Sequence, residues 1–166
     1  MKTFLKDRSE YAYKNKCGHS YKYYGYDSSE SITKAEIEIM DRARDFFPYI
    51  PKIISYENYI LTVEFIEGEH IDDYIKRTDN REIINKFTEA ISKLQSVEIQ
   101  LNNQSVERYD KGFICYHDYH FENFIVDRNE NIWFIDWDIS GLYPKHRMQD
   151  DKVAVRNFII DLNDLK

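Results

Sequence analysis

Residues 113–141 read FICYHDYHFENFIVDRNENIWFIDWDISG. Two short apolar segments, Phe124–Val126 and Ile132–Ile135, flank the polar run Asp127–Asn131, and that order of apolar run, turn cluster and apolar run predicts a β-hairpin. Asp118 and Asn123 stand five residues apart just before the first segment, and Asp136 directly follows the second. Closing the hairpin therefore gathers three oxygen-bearing side chains at one end, a donor set suited to a hard divalent cation and to phosphate.

Upstream of this stretch, Thr3–Lys6, Glu10–Lys14 and His19–Gly25 read as three short strands separated by the turn-forming runs DRS and NKCG. Ile32, Ala35, Ile39, Met40, Ala43 and Phe47 recur at helical spacing, predicting a helix that Pro48 and Pro51 end. Lys52–Tyr56 and Tyr59–Phe65 then flank Glu57-Asn58 as a second hairpin. These elements form a first lobe over residues 1–67, five antiparallel strands and one helix, with Glu67-Gly68 as the boundary.

The second lobe, residues 68–166, opens on a short helix over His70–Lys76 with Ile71, Tyr74 and Ile75 on one side. Arg81–Val97 carries Ile84, Phe87, Ile91 and Leu94 on one face and charges on the other, an amphipathic helix. The polar run LNNQSVERYDKG reads as a loop, and Asp151–Leu165 as a final helix burying Val153, Val155, Phe158, Ile159 and Leu162. The fold class expected is α+β, two-lobed, with a small sheet-and-helix N-lobe and a short, mainly helical C-lobe.

A formal net charge of −7 over 166 residues, with no long Lys/Arg cluster, disfavours nucleic acid and anionic membranes as partners. Small molecules or proteins fit better. No apolar run is long enough to span a bilayer, and MKTFLKDRSE has no signal-peptide core, so a soluble, cytoplasmic protein is expected. Cys17 and Cys115 are too isolated for a disulfide framework or a zinc site. His117 and His120 flank Asp118 but lack a third spaced His or Cys, which argues against a transition-metal cluster.

An aspartate followed five residues later by an asparagine, then a hairpin ending in another aspartate, is the arrangement that phosphoryl transfer from a nucleotide requires. In that reaction one carboxylate orients or deprotonates the acceptor hydroxyl while further oxygen donors hold magnesium against the phosphates. Asp118 suits the first role, and Asn123 and Asp136 the second.

Tyr116–Asn123, YHDYHFEN, together with IWFIDWD, resembles the H-G-D-L-H-P-x-N and I-D-W-[DE] signatures of the aminoglycoside phosphotransferase-like and choline-kinase-like enzymes, relatives of the protein kinases. SGLYP, residues 140–144, is similar to the A-G-F-Y-P ending of fungal members. The resemblance continues through Tyr21–Gly25, Ile32–Met40, Ile50–Ile53 and Leu61–Gly68, and spans about residues 19–145. It implies a protein-kinase-like fold of reduced size that uses ATP and Mg2+. Lys22 would contact the α- and β-phosphates and pair with Glu36, and Glu64, Phe65 and Ile66 would form the adenine-binding hinge. Glu36 and Glu38 are two residues apart and so point to different faces of their helix, so only one can meet Lys22, and Glu36 is the one that matches the family position.

The implied activity is transfer of the γ-phosphoryl group to a hydroxyl of a small molecule or a protein. A nucleotide-binding scaffold without turnover is the alternative. Three departures stand out. Tyr116-His117 replaces the usual His-Gly. Gly18 is the only glycine before Lys22, so no G-x-G-x-x-G precedes it. About thirty residues follow Asp136, so the acceptor site is expected to be either minimal or missing, with a protein partner or a second copy covering the short lobe.

Overall fold

The computed structural model describes residues 12–14, 20–23, 30–57, 60–102, 109–137 and 140–165. Strands β1 (Ala12–Lys14), β2 (Ser20–Tyr23), β3 (Ile53–Glu57) and β4 (Ile60–Val63) form an antiparallel sheet in the order β1-β2-β4-β3. In that sheet Lys22 stands opposite Leu61 on one side and Ala12 on the other. The strand expected over Thr3–Lys6 lies outside the described residues.

Helix α1 (Glu30–Arg44) lies between β2 and β3 in sequence and buries Ala35, Ile39, Met40 and Ala43. It stops ahead of Pro48, and the amides of Phe46 and Phe47 bond back to the Ala43 carbonyl at 3.1 and 2.9 Å. Phe47 still reaches the core from this closing turn. Its ring meets Phe134 edge-on at 5.1 Å, and the Phe134 amide donates to the Tyr49 carbonyl at 3.1 Å. The first lobe is thereby joined to the hairpin of the second.

Gly68 leads into β5 (Glu69–His70), which pairs with β8 (Phe124–Val126). A side chain at Gly68 would overlap the Val126 carbonyl oxygen and lie 2.6 Å from Ile125 Cγ2, so the close crossing requires glycine. Helices α2 (Ile71–Thr78) and α3 (Glu82–Gln95) follow, and α2 buries Ile71, Tyr74 and Ile75 as the spacing predicts. Helix α3 buries Ile83, Ile84, Phe87, Ile91 and Leu94. A second sheet, β10-β7-β6, is built from β6 (Glu98–Gln100), β7 (Lys111–Cys115) and β10 (Gly141–Tyr143). Strand β8 pairs with β9 (Ile132–Phe134) in the expected hairpin.

Helix α4 (Gln149–Asp164) departs from expectation at one position. Val155, Phe158 and Leu162 are buried and Ile159 half-buried, whereas Val153 is 47% exposed. The buried stripe starts one turn earlier at Asp151, four residues before Val155, so helical phase turns Val153 outward and a carboxylate inward. Arg81 closes the other end of α4 by donating to the carbonyls of Leu162 and Leu165 at 3.0 and 2.7 Å, groups with no partner inside the helix. No helix among the described residues is long and apolar enough to cross a membrane.

The hairpin turn is held by one carboxylate. Asp127 accepts from the amides of Asn129 and Asn131 at 2.8 and 3.0 Å, from Asn131 Nδ2 at 3.0 Å and from Trp133 Nε1 at 2.9 Å. Glu130, at φ 60°, then ties the turn to α2 and α3 through Tyr74 Oη at 2.6 Å and Lys86 Nζ at 2.9 Å. Burial alone would raise the Asp127 carboxyl, but its bonds from Trp133, Asn131 and Asn129 outweigh that and hold it below the usual carboxylate range. Asp127→Ala should lower unfolding stability by about 1–3 kcal/mol in urea at neutral pH. Because the folded pKa is depressed, the contribution is complete above the ordinary value of about 3.9 and fades as pH falls through the folded one. The gap between wild type and variant should therefore narrow in that acid window.

Candidate active site

Strand β7 carries the chain into the core, where Ile114, Cys115 and Tyr116 are fully buried. The backbone then turns sharply at His117, whose φ of 69° is left-handed. The turn is fastened from below by Asp151, in the first turn of α4 and itself fully buried. The His117 amide donates to Asp151 Oδ1 at 3.0 Å, and His117 Nδ1 lies 3.2 Å from the same oxygen. Tyr119 Oη donates to both oxygens at 3.1 and 3.0 Å, and Gln95 Nε2 to Oδ2 at 2.5 Å. A helix N-terminus favours a negative charge there, and these donors replace the water the carboxylate gives up.

Asp151 in turn acts on its neighbours. Burial, and then its negative charge, push the Cys115 thiol up to about 12, and the same causes in the same order push the Tyr119 phenol up. Cys115, His117 and Asp151 bring potential ligand atoms within 4.8 Å of one another. With a protonated thiol and a carboxylate already accepting from Gln95, Tyr119 and His117, the trio is a hydrogen-bonded anchor in this state.

Above the anchor, Asn123 closes a single 3-10 turn, Phe121–Asn123. Its Nδ2 donates to Asp118 Oδ2 at 2.7 Å and to the Asp118 carbonyl at 3.2 Å. The amide nitrogen is thus directed at Asp118, and the amide oxygen faces the other way. His120 Nε2 sits 3.5 Å from Asp118 Oδ1 on a largely exposed side chain. The hairpin brings the backbone just before Asp136 onto Asn123, the Ile135 amide donating to the Asn123 carbonyl at 3.1 Å. The Asp136 amide itself donates to Tyr116 Oη at 3.3 Å. The tyrosine hydroxyl at position 116 therefore links the turn carrying Asp118 to the segment carrying Asp136.

The other expected residues belong to the first sheet, its helix and the segment after β4. Glu36 is 1% exposed on α1, while Glu38 faces elsewhere and accepts from the Asn102 amide at 2.6 Å. The Lys22 backbone is in β2, but its side chain, and with it the expected pairing to Glu36, lies outside the described residues. Glu64, Phe65 and Ile66 follow β4, and the Glu64 amide donates to the Lys52 carbonyl at 2.8 Å. A cavity of about 1000 Å³ lies against Glu64–Glu69 and the turn Asp127–Glu130, with Tyr74 and Trp133 in its wall. None of Asp118, Asn123 or Asp136 lines it, so this space is separate from the carboxylate cluster.

No family model matches the sequence, and no curated protein matches it. Solved structures do. The chain aligns with the streptomycin–ATP–APH(2″)-IIa ternary complex at a TM-score of 0.65 and 13% identity, covering 98% of this chain and 76% of that one. It aligns with ADP-bound aminoglycoside phosphotransferase APH(2″)-Ib at 0.65 and 12%, covering 93% and 79%. The gentamicin–APH(2″)-IIa complex gives 0.62 and 13%, covering 92% and 78%. The fold is that of the aminoglycoside phosphotransferases.

In this phosphotransferase fold the hairpin and its preceding turn are the parts the motifs reveal. Asp151, Gln95 and Tyr119 are the parts they do not. An aspartate opening a predicted helix reads as an ordinary N-terminal residue, and only the phase shared with Val155, Phe158 and Leu162 hints that it points inward. Cys115 offers a direct check. In the native protein at pH 8, iodoacetamide should leave Cys115 unmodified, because a buried thiol held near 12 has almost no thiolate. In urea the same cysteine should be alkylated, with peptide mass spectrometry as the readout.

Proposed function

We propose that the protein is an ATP-dependent phosphotransferase that moves the γ-phosphoryl group to a hydroxyl of a small molecule, with a protein hydroxyl as a second acceptor class. The observation that carries this reading is Asp118, its Oδ2 accepting from Asn123 Nδ2 at 2.7 Å, on the fold of the aminoglycoside phosphotransferases. The solved structures that the chain resembles, bound to streptomycin and ATP, to ADP and to gentamicin, support a nucleotide and a small-molecule acceptor.

Asp118 is the catalytic base or orienting group. With Oδ2 occupied by Asn123, it receives the acceptor proton as the hydroxyl oxygen bonds to the γ-phosphorus and the bond to the ADP oxygen breaks. Lys22 holds the α- and β-phosphates and pairs with the buried Glu36. Glu64, Phe65 and Ile66 receive the adenine between residues 1–67 and 68–166. The Asn123 amide oxygen and the Asp136 carboxylate are hard donors of the class magnesium takes, and they would hold it. When bound, magnesium neutralises charge on the β- and γ-phosphates.

Two measurements test this. ATP at a hundred times its dissociation constant, with magnesium, should stabilise the fold by about 2.7 kcal/mol, and less without the metal. Asp118→Asn should keep that stabilisation and lose γ-phosphoryl turnover by about a hundredfold or more. Stabilisation by ATP with equal phosphate release from both proteins would instead identify a nucleotide-binding scaffold, consistent with the missing glycine-rich motif before Lys22.

A further inference from the structure

His117 is the residue of the catalytic turn for which the proposed chemistry has no use, yet the backbone singles it out. Three described residues other than glycine have positive φ: Asp79 at 54°, Glu130 at 60° and His117 at 69°. Asp79 caps α2 and Glu130 lies in a hairpin turn, both ordinary places for that conformation. His117 is neither. It follows a buried strand, directly precedes Asp118, and is a bulky side chain where glycine would adopt the conformation without strain.

The compensation is visible in what the ring touches. Nδ1 lies 3.2 Å from Asp151 Oδ1, the oxygen that also accepts the backbone amide of His117 at 3.0 Å. On its other side the ring meets Tyr143 of β10 edge-on, with centroids 4.8 Å apart. Side chain and main chain of one residue are thus fastened to one buried carboxylate, with the ring wedged against a neighbouring strand. A non-glycine residue persists at positive φ where its surroundings over-determine it, and such places concentrate at functional sites.

We propose that His117 is a positioning residue for Asp118: its ring, gripped by Asp151 and Tyr143, holds the left-handed turn that presents the Asp118 carboxylate to the acceptor. This rests on the phosphotransferase reading above. His117→Gly leaves the backbone conformation accessible and removes the grip. His117→Asn tolerates the same conformation and puts an amide nitrogen near the place of Nδ1.

Each variant is measured for ATP turnover with magnesium, for thermal stabilisation by ATP, and for amide exchange across residues 116–123. Expected for His117→Gly is a fall in kcat of about tenfold or more, with KM for ATP within about twofold. Exchange at positions 117–120 should quicken while the ATP-induced stabilisation persists. His117→Asn should recover kcat to within about threefold of wild type and slow the exchange again. Wild-type kcat in His117→Gly would overturn the proposal, as would exchange unchanged from wild type. So would a His117→Asn protein that regains slow exchange without regaining kcat. If the wild type neither binds ATP nor turns it over, the phosphotransferase reading fails and the positioning role fails with it; quickened exchange in His117→Gly would then mark His117 as an anchor of the turn alone.

Discussion

One buried carboxylate organises the candidate site. Asp151 has no exposed surface, and removing a charge from water costs several kcal/mol unless donors surround it. Those donors come from two separated parts of the chain, Gln95 at the end of α3 and His117 and Tyr119 in the turn around Asp118, while the carboxylate itself sits in the first turn of α4. Satisfying the carboxylate therefore draws α3, α4 and the turn together. The turn that carries Asp118 has one placement compatible with that network, which is how a loop without regular structure can hold a functional group in a defined position.

A second constraint is the aromatic core beneath the turn. Phe124 and Phe134, facing each other across β8 and β9, meet edge-on at 5.0 Å, and Phe87 and Phe158 pack against Phe124 at 5.0 Å each. Tyr116 joins the same cluster, 5.1 Å from Trp137 and 5.4 Å from Phe134, while its hydroxyl accepts from the Asp136 amide. Apolar packing and one polar contact on the same ring thus connect the turn that carries Asp118 to the segment that carries Asp136. Phe47 extends the packing toward the first lobe through Phe134.

Much of this was legible in the sequence where a long pattern or a local motif carried it. The apolar spacings of α1, α2 and α3 identified their buried faces, and the hairpin was marked by its polar turn Asp127–Asn131. The hairpin also places Asn123 Nδ2 on Asp118 and the Ile135 amide on the Asn123 carbonyl, next to Asp136 in sequence. Strands β5, β6, β7 and β10 were not legible: two to five residues long, and in part inside a polar run, they have no periodicity to read and exist because partners distant in sequence complete their hydrogen bonds. Val153 was misplaced for a related reason. Hydrophobicity alone set the phase of α4, whereas a carboxylate with three donors waiting for it set the phase in the fold.

By itself, then, the sequence determined the local elements, the order of the motifs and the residue types able to do phosphoryl-transfer chemistry, because those follow from short-range spacing and donor chemistry. Tertiary structure decided what holds them in place. The inward turn of Asp151, the left-handed His117 fastened to it, and the Tyr116 hydroxyl bridging to Asp136 each join residues 20 or more positions apart. No local pattern encodes such pairings. They form because a buried polar group must find its partners wherever the folded chain brings them.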